Sequence, residues 1–134
     1  MSLKKFPACD EALADVLAYT EEELEKADCP MKMVMQLTVC VEEMFVNIAH
    51  YGYPDGGGEM TYSIDFEDGI ITMIMTDSGI PFDPLAKDDP DITLPAEERD
   101  IGGLGIFMVK KTMDTVAYKR ENDQNIFTMT KRIG

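Results

Sequence analysis

Residues 41–54, Val41-Glu42-Glu43-Met44-Phe45-Val46-Asn47-Ile48-Ala49-His50-Tyr51-Gly52-Tyr53-Pro54 (VEEMFVNIAHYGYP), decide how the rest of the chain is read. They look like the end of a long amphipathic helix running into a Tyr-Gly-Tyr-Pro stop. Apolar residues recur at Val34, Leu37, Val41, Phe45 and Ile48, in the steps of three and four that a core-facing helix requires. Beside that stripe runs a second one of Gln36, Cys40, Glu43, Asn47 and His50. Residues three, four and seven apart share a helical face, so Glu43, Asn47 and His50 can converge on one target. A carboxylate and a carboxamide one turn apart can act together on a hydrated metal ion or a water. The plainer alternative is a solvated helix edge, and the choice rests on what lies downstream.

The chain of 134 residues is long enough for one domain with a real core, so residues 1–134 are expected to form a single unit. Twelve basic against 26 acidic residues give a net charge of −14. Nucleic acids and anionic membranes are bound through Lys and Arg, so neither is an expected partner. The first residues lack a continuous apolar run, and no apolar segment approaches the length of a membrane span. Cys9, Cys29 and Cys40 are odd in number and show no C-x-x-C spacing. Together these features point to a cytoplasmic protein rather than a disulfide scaffold or a zinc site.

Working outward, residues 4–6 suit a short edge strand. Residues 10–26 suit a helix with Leu13, Val16, Leu17 and Leu24 buried and Asp10 as its N-cap. Pro30 breaks the chain and opens the second helix, expected over 31–51. After the turn cluster 53–58, alternation predicts strands at 59–66 and 70–75, paired as an antiparallel hairpin. Residues 79–103 carry four prolines and seven acids without periodicity, a loop too long to be idle in a small domain. Gly102-Gly103-Leu104-Gly105 opens a helix over 106–113, and strands at 115–119 and 126–131 close the chain. Helices layered on one face of a mixed, mainly antiparallel sheet, an α+β two-layer sandwich, is the economical architecture.

Three segments carry chemistry: Glu43-x-x-x-Asn47, Asp77-Ser78-Gly79-Ile80-Pro81-Phe82-Asp83-Pro84 and Gly102-Gly103-Leu104-Gly105. Singly each is weak. Asp-x-Gly after a strand is a common turn. A glycine-rich helix start is a general anion cradle, since its free N–H groups and the helix dipole favour phosphate. It is not a P-loop, because no Gly-Lys-Ser/Thr follows.

In this order, the segments resemble the GHKL ATPase superfamily with its Bergerat nucleotide-binding fold. Within it they are most similar to the anti-sigma-factor serine/threonine protein kinases. Glu43, Asn47, His50 and Tyr51 match the first box, D-x-G-x-P-F-D-P is complete, and G-G-L-G leads into an apolar helix. The resemblance runs from about residue 10 to 132 and implies ATP and Mg²⁺ as cofactors. It implies that Asn47 binds Mg²⁺, for which a carboxamide oxygen is a suitable hard ligand. Glu43 would be the general base taking a proton from an attacking hydroxyl. Asp77 would accept from the adenine amino group, and Gly79 would let the backbone pass close to the base. Gly103 and Gly105 would offer phosphate-facing N–H groups, with Gly102 as the hinge of a lid over 80–101. Pro81, Phe82 and Leu104 are carried with their boxes as nucleotide-binding positions, and His50 would support the pocket near the helix end.

The chain departs from the family pattern in two places. The threonine that many members carry on the last strand falls near Asn125–Ile126 here, with Thr128 further along. Arg99 is offset from the place where some of these kinases put an arginine for the terminal phosphate. The resemblance implies a homodimer that phosphorylates an anti-anti-sigma (antagonist) protein and sequesters a sigma factor. The alternative is a non-catalytic switch whose partner affinity depends on ATP or ADP. A plain acidic α+β domain without nucleotide is the third possibility.

Overall fold

Hydrophobic alternation and helical periodicity together produce one sheet covered by one helical layer. The computed structural model describes residues 2–85 and 103–134. Strand β1 (Ser2–Pro7) is followed by helices α1 (Leu13–Lys26) and α2 (Met31–Asn47), then strands β2 (Glu59–Glu67) and β3 (Ile70–Asp77). Helix α3 (Gly103–Thr112) and strands β4 (Thr115–Glu121) and β5 (Gln124–Arg132) complete the fold. The strands form a five-stranded sheet in the order β1-β2-β3-β5-β4. The sheet is antiparallel throughout the described residues, without the parallel pair that a mixed sheet would contain.

The two hairpins are set by their turns. Asp68 and Gly69 take φ of 55° and 80°, and Asn122 and Asp123 take 53° and 61°. Two consecutive left-handed residues match the twist of flanking strands, and Gly, Asn and Asp reach that region at least cost. The β2–β3 turn fixes Tyr62 opposite Met75, and β3 then sets Met75 opposite Phe127 of β5. The alternate residues Tyr62, Met73, Met75, Phe127 and Met129 therefore face the helices and are buried.

Helix α2 is the centre of the helical layer and packs against both α1 and α3. Leu37, Val41 and Phe45 of α2, Val16 and Leu24 of α1, Ile106 and Val109 of α3, and Met113 just beyond it close the core from above. Each such side chain contributes about 1.5–3 kcal/mol when fully removed from water. The long helix ends differently from its expected course to residue 51. Its α-helical part stops at Asn47, and Ile48–Gly52 form a single wider π-turn. Asp10 is also corrected. It begins a short 3₁₀ turn (Asp10–Ala12) behind Cys9 and caps no helix, because its carboxylate is engaged by His50.

Candidate functional site

The site begins where β3 runs out. Asp77 closes that strand, and Asn125, its Cα partner in β5, stands directly opposite. Both face the buried side of the sheet. Asn125 Nδ2 donates to Asp77 Oδ1 at 3.1 Å and to the Ile80 carbonyl at 3.0 Å. Its Oδ1 accepts from the Tyr118 hydroxyl at 2.6 Å and from the Phe82 amide at 3.4 Å. All four hydrogen-bonding positions of the carboxamide are engaged, which fixes its orientation. Asp77 Oδ1 also accepts from the Gly79 amide at 2.9 Å. That oxygen thus meets two donors, while Oδ2 has no donor among the described residues.

The turn after Asp77 is clamped on both sides. The Ile80 amide donates to the Gly52 carbonyl at 2.9 Å, and Arg120 Nη1 donates to the Gly79 carbonyl at 2.8 Å. A Cβ on Gly79 would come within 2.4 Å of the Gly52 carbonyl oxygen, so only glycine fits this crossing. Tyr53 closes the other flank by accepting from the Ser78 amide at 2.9 Å. Burial pushes the Tyr53 phenol above its ordinary pKa, against the opposing effect of that amide bond.

Helix α2 supplies the facing wall. Asn47 is buried, and its Nδ2 donates to the Glu43 carbonyl one turn back at 2.6 Å. That bond leaves the carboxamide oxygen as the group free to ligate, which fits a hydrated Mg²⁺. Glu43 is half-buried, and its carboxylate lies against the start of α3. A Cβ on Gly105 would sit 2.1 Å from Glu43 Oε2. Gly105 therefore makes room for the carboxylate and sets the candidate base against the first turn of α3. Cys40, one turn earlier, is buried, and its thiol is pushed up by desolvation.

Asn47, Gly52, Asp77, Phe82, Tyr118 and Asn125 line a cavity of about 20 Å³. That is room for roughly one water. Phe82 and the buried Pro84 fill the remainder, and the Phe82 ring stacks on Tyr51 with centroids 4.7 Å apart and 17° between planes. A nucleobase can enter only if this segment moves outward.

His50 does not join Glu43 and Asn47 at the cavity. Its Nε2 bonds the Asp10 carboxylate at 2.8 Å, on an exposed surface lined by Cys9 and Pro54. The π-turn is the cause, because i→i+5 bonding breaks the 3.6-residue register that would keep residue 50 below residue 47. Pro81 is exposed and does not line the cavity. Gly103 begins α3. Gly102, Arg99 and most of the lid lie outside the described residues, as does the side chain of Leu104. The position near Asn125–Ile126, where the family pattern would put a threonine, is filled by Asn125, and Tyr118 joins it as a residue that the sequence reading does not reach. The available signal for Asn125 was its place in the inward series with Phe127 and Met129, where a polar residue must find partners.

A comparison with protein families matches residues 6–131 to the Histidine kinase-like ATPase domain, and the chain belongs to that nucleotide-binding family. Among curated proteins, it is similar to the serine-protein kinase RsbW of Halalkalibacterium halodurans, at 29% identity over 123 residues. That match takes in 89% of this chain and 68% of the relative. The serine-protein kinase RsbW of Bacillus cereus is 24% identical over 104 residues, or 75% of this chain and 64% of the relative. The chain thus spans about two thirds of the length of the curated relatives it matches. Solved structures share the fold, two of them as follows. The RsbU and RsbW domains of a Mycobacterium tuberculosis protein superpose with a TM-score of 0.66 at 14% identity, covering 99% of this chain and 33% of that one. The SiaB–SiaC complex of Pseudomonas aeruginosa gives 0.62 at 16% identity, covering 98% and 89%.

Proposed function

We propose that this chain is an ATP-dependent serine/threonine protein kinase of the anti-sigma type, acting on an antagonist protein and sequestering a sigma factor. The observation that carries it is the juxtaposition of Asp77 and Asn47 in one cleft, with Glu43 at the start of α3, in a chain whose curated relatives are named serine-protein kinases. Asp77 Oδ2 is the acceptor for the adenine amino group, and the Asn125 and Gly79 donors hold the carboxylate in place through Oδ1. The Asn47 carboxamide oxygen holds Mg²⁺, which when bound neutralises charge on the phosphates. Gly103 and Gly105 present N–H groups to those phosphates, so ATP meets amides and a cation rather than the acidic surface. In the lid, Arg99 is the candidate for the terminal phosphate and Gly102 the hinge.

Glu43 takes the proton of a partner's hydroxyl as that oxygen bonds the γ-phosphorus. The bond from the γ-phosphorus to the bridging oxygen breaks, and ADP leaves with the electron pair. The unit is one domain acting in the cytoplasm as a homodimer. No described helix is long and apolar enough to cross a membrane.

The test is transfer of label from ATP to a partner purified with the wild-type protein. Replacing Glu43→Ala is expected to abolish transfer while ATP binding persists. Transfer that survives the replacement removes Glu43 from the base role. Binding of ATP by the wild type with no transfer to its bound partner favours the nucleotide-dependent switch instead.

A further inference from the structure

The outward face of α2 carries an apolar ridge beside its exposed Lys32 and Gln36, where a solvent-facing helix should be polar. Met31, Met35 and Val39 are 74%, 64% and 54% exposed. They are spaced by four, so they form one continuous ridge on the helix surface. Beside the ridge, α1 and α2 enclose a groove of about 290 Å³ in which Met31, Met35 and Val34 face Glu21 and Glu25. No cation pairs with Glu21 or Glu25 among the described residues. Lys26 is already held by Glu22 at 3.7 Å and Glu23 at 3.2 Å. Helix α2 itself carries one cation, Lys32, beside Met31.

An apolar ridge walled by unpaired carboxylates selects its occupant by charge. A second copy would make a self-complementary contact and set Glu21 and Glu25 near their own counterparts, between chains that each carry −14. A complementary occupant has an apolar stripe flanked by Lys or Arg. The next step of four along the ridge from Val39 is Glu43. Val39 and Glu43 are about 6 Å apart along the axis, and the whole row from Met31 to Glu43 spans about 18 Å, or three turns of a docked helix.

We propose that the Met31–Met35–Val39 ridge and the adjoining acidic groove form a docking surface for a basic amphipathic helix of a protein partner. The partner's being the phosphoacceptor rests on the kinase activity proposed above; the docking itself does not. The helix lies along α2 with its apolar stripe on the ridge and its cations on Glu21 and Glu25. Its far end then reaches Glu43.

The probe is a synthetic helical peptide with leucines at positions i, i+3, i+4 and i+7 and lysines elsewhere, with a Leu/Glu counterpart as control. Binding is followed by fluorescence anisotropy and mapped by amide chemical shifts, without nucleotide. The wild type is expected to bind the basic peptide and not the acidic one, with shifts on α1 and along α2 from Met31 to Glu43. The double variant Met31→Ser/Met35→Ser, altered only at exposed positions, is expected to weaken binding roughly tenfold or more. Glu21→Lys/Glu25→Lys is expected to weaken it and to flatten its salt dependence. Unchanged affinity in the methionine variant overturns the docking surface, since only diffuse charge attraction would then remain. So does shift mapping to another face, or a wild-type dimer that the methionine variant dissolves. Because no nucleotide is present, these outcomes are independent of whether Glu43 transfers phosphate.

Discussion

At the scale of single residues, the site depends on a few close fits. Gly105 is the sharpest. The Cβ of an alanine would occupy the position of Glu43 Oε2, and a carboxylate at the end of a flexible side chain yields before the backbone does. Gly105→Ala is therefore expected to fold normally and to lose phosphotransfer by roughly a hundredfold, the cost of misplacing a catalytic group by about 1 Å. Matched circular dichroism spectra with collapsed kcat would bear this out, and wild-type turnover would not. Asn125 makes a different demand. Asn125→Ala leaves Asp77, Tyr118 and the Ile80 carbonyl short of partners, an expected cost of about 1–3 kcal/mol in urea unfolding. His50→Ala is expected to be nearly silent, because its bond to Asp10 is exposed and such surface contacts contribute about 1 kcal/mol or less. Its response to Mg-ATP should match the wild type, and a lost response would return His50 to the site.

At the scale of elements, the strands and helices were legible and their relative placement was not. The alternation in 70–75 and the step of three and four in 34–48 report local geometry directly. The hairpin turns, Asp68-Gly69 and Asn122-Asp123, fixed register within each pair. What was not legible was the neighbour of β3. Asn125 meets Asp77 across 48 residues of chain, through a pairing of β3 with β5 that no local pattern encodes. The π-turn at Ile48–Gly52 was equally hidden, since Gly52 and Pro54 mark where the helix stops but no residue before them marks a change of pitch. That turn separates His50 from Asn47 and brings the Gly52 carbonyl to the Ile80 amide. The segment 80–85 plugs the cleft, held by the Tyr51–Phe82 stack and the bond from the Phe82 amide to Asn125. Backbone resonances of Ile80–Leu85 are therefore expected to move when Mg-ATP is added. Resonances that stay in place while ATP binds would put the nucleotide elsewhere.

At the scale of the molecule, the helical layer, the inward sheet face and the site are parts of one core. Tyr62 lies within it, its hydroxyl bonded to Thr20 Oγ1 at 2.9 Å, and burial raises its phenol far above the ordinary value. Cys40 is raised by the same cause from an ordinary value of 9.0. Both groups lose their protons more readily in the unfolded chain, so their contribution to stability is complete below about pH 9 and declines as pH rises through the folded-state values. The melting temperature is expected to fall on the alkaline side, and Tyr62→Phe is expected to make that decline shallower. An identical slope in the variant would mean that Tyr62 plays no part.

The central claim is that the Asp77 cleft binds a nucleotide with Mg²⁺, and thermal unfolding against Mg-ATP concentration tests it most directly. The wild-type melting temperature should climb with ligand, by linkage worth about 2.7 kcal/mol at a hundredfold excess over Kd. Asp77→Asn keeps an oxygen for the Gly79 and Asn125 donors but turns an amino group toward the base, so its curve should be flat. A wild-type melting temperature unmoved at millimolar Mg-ATP would contradict the account.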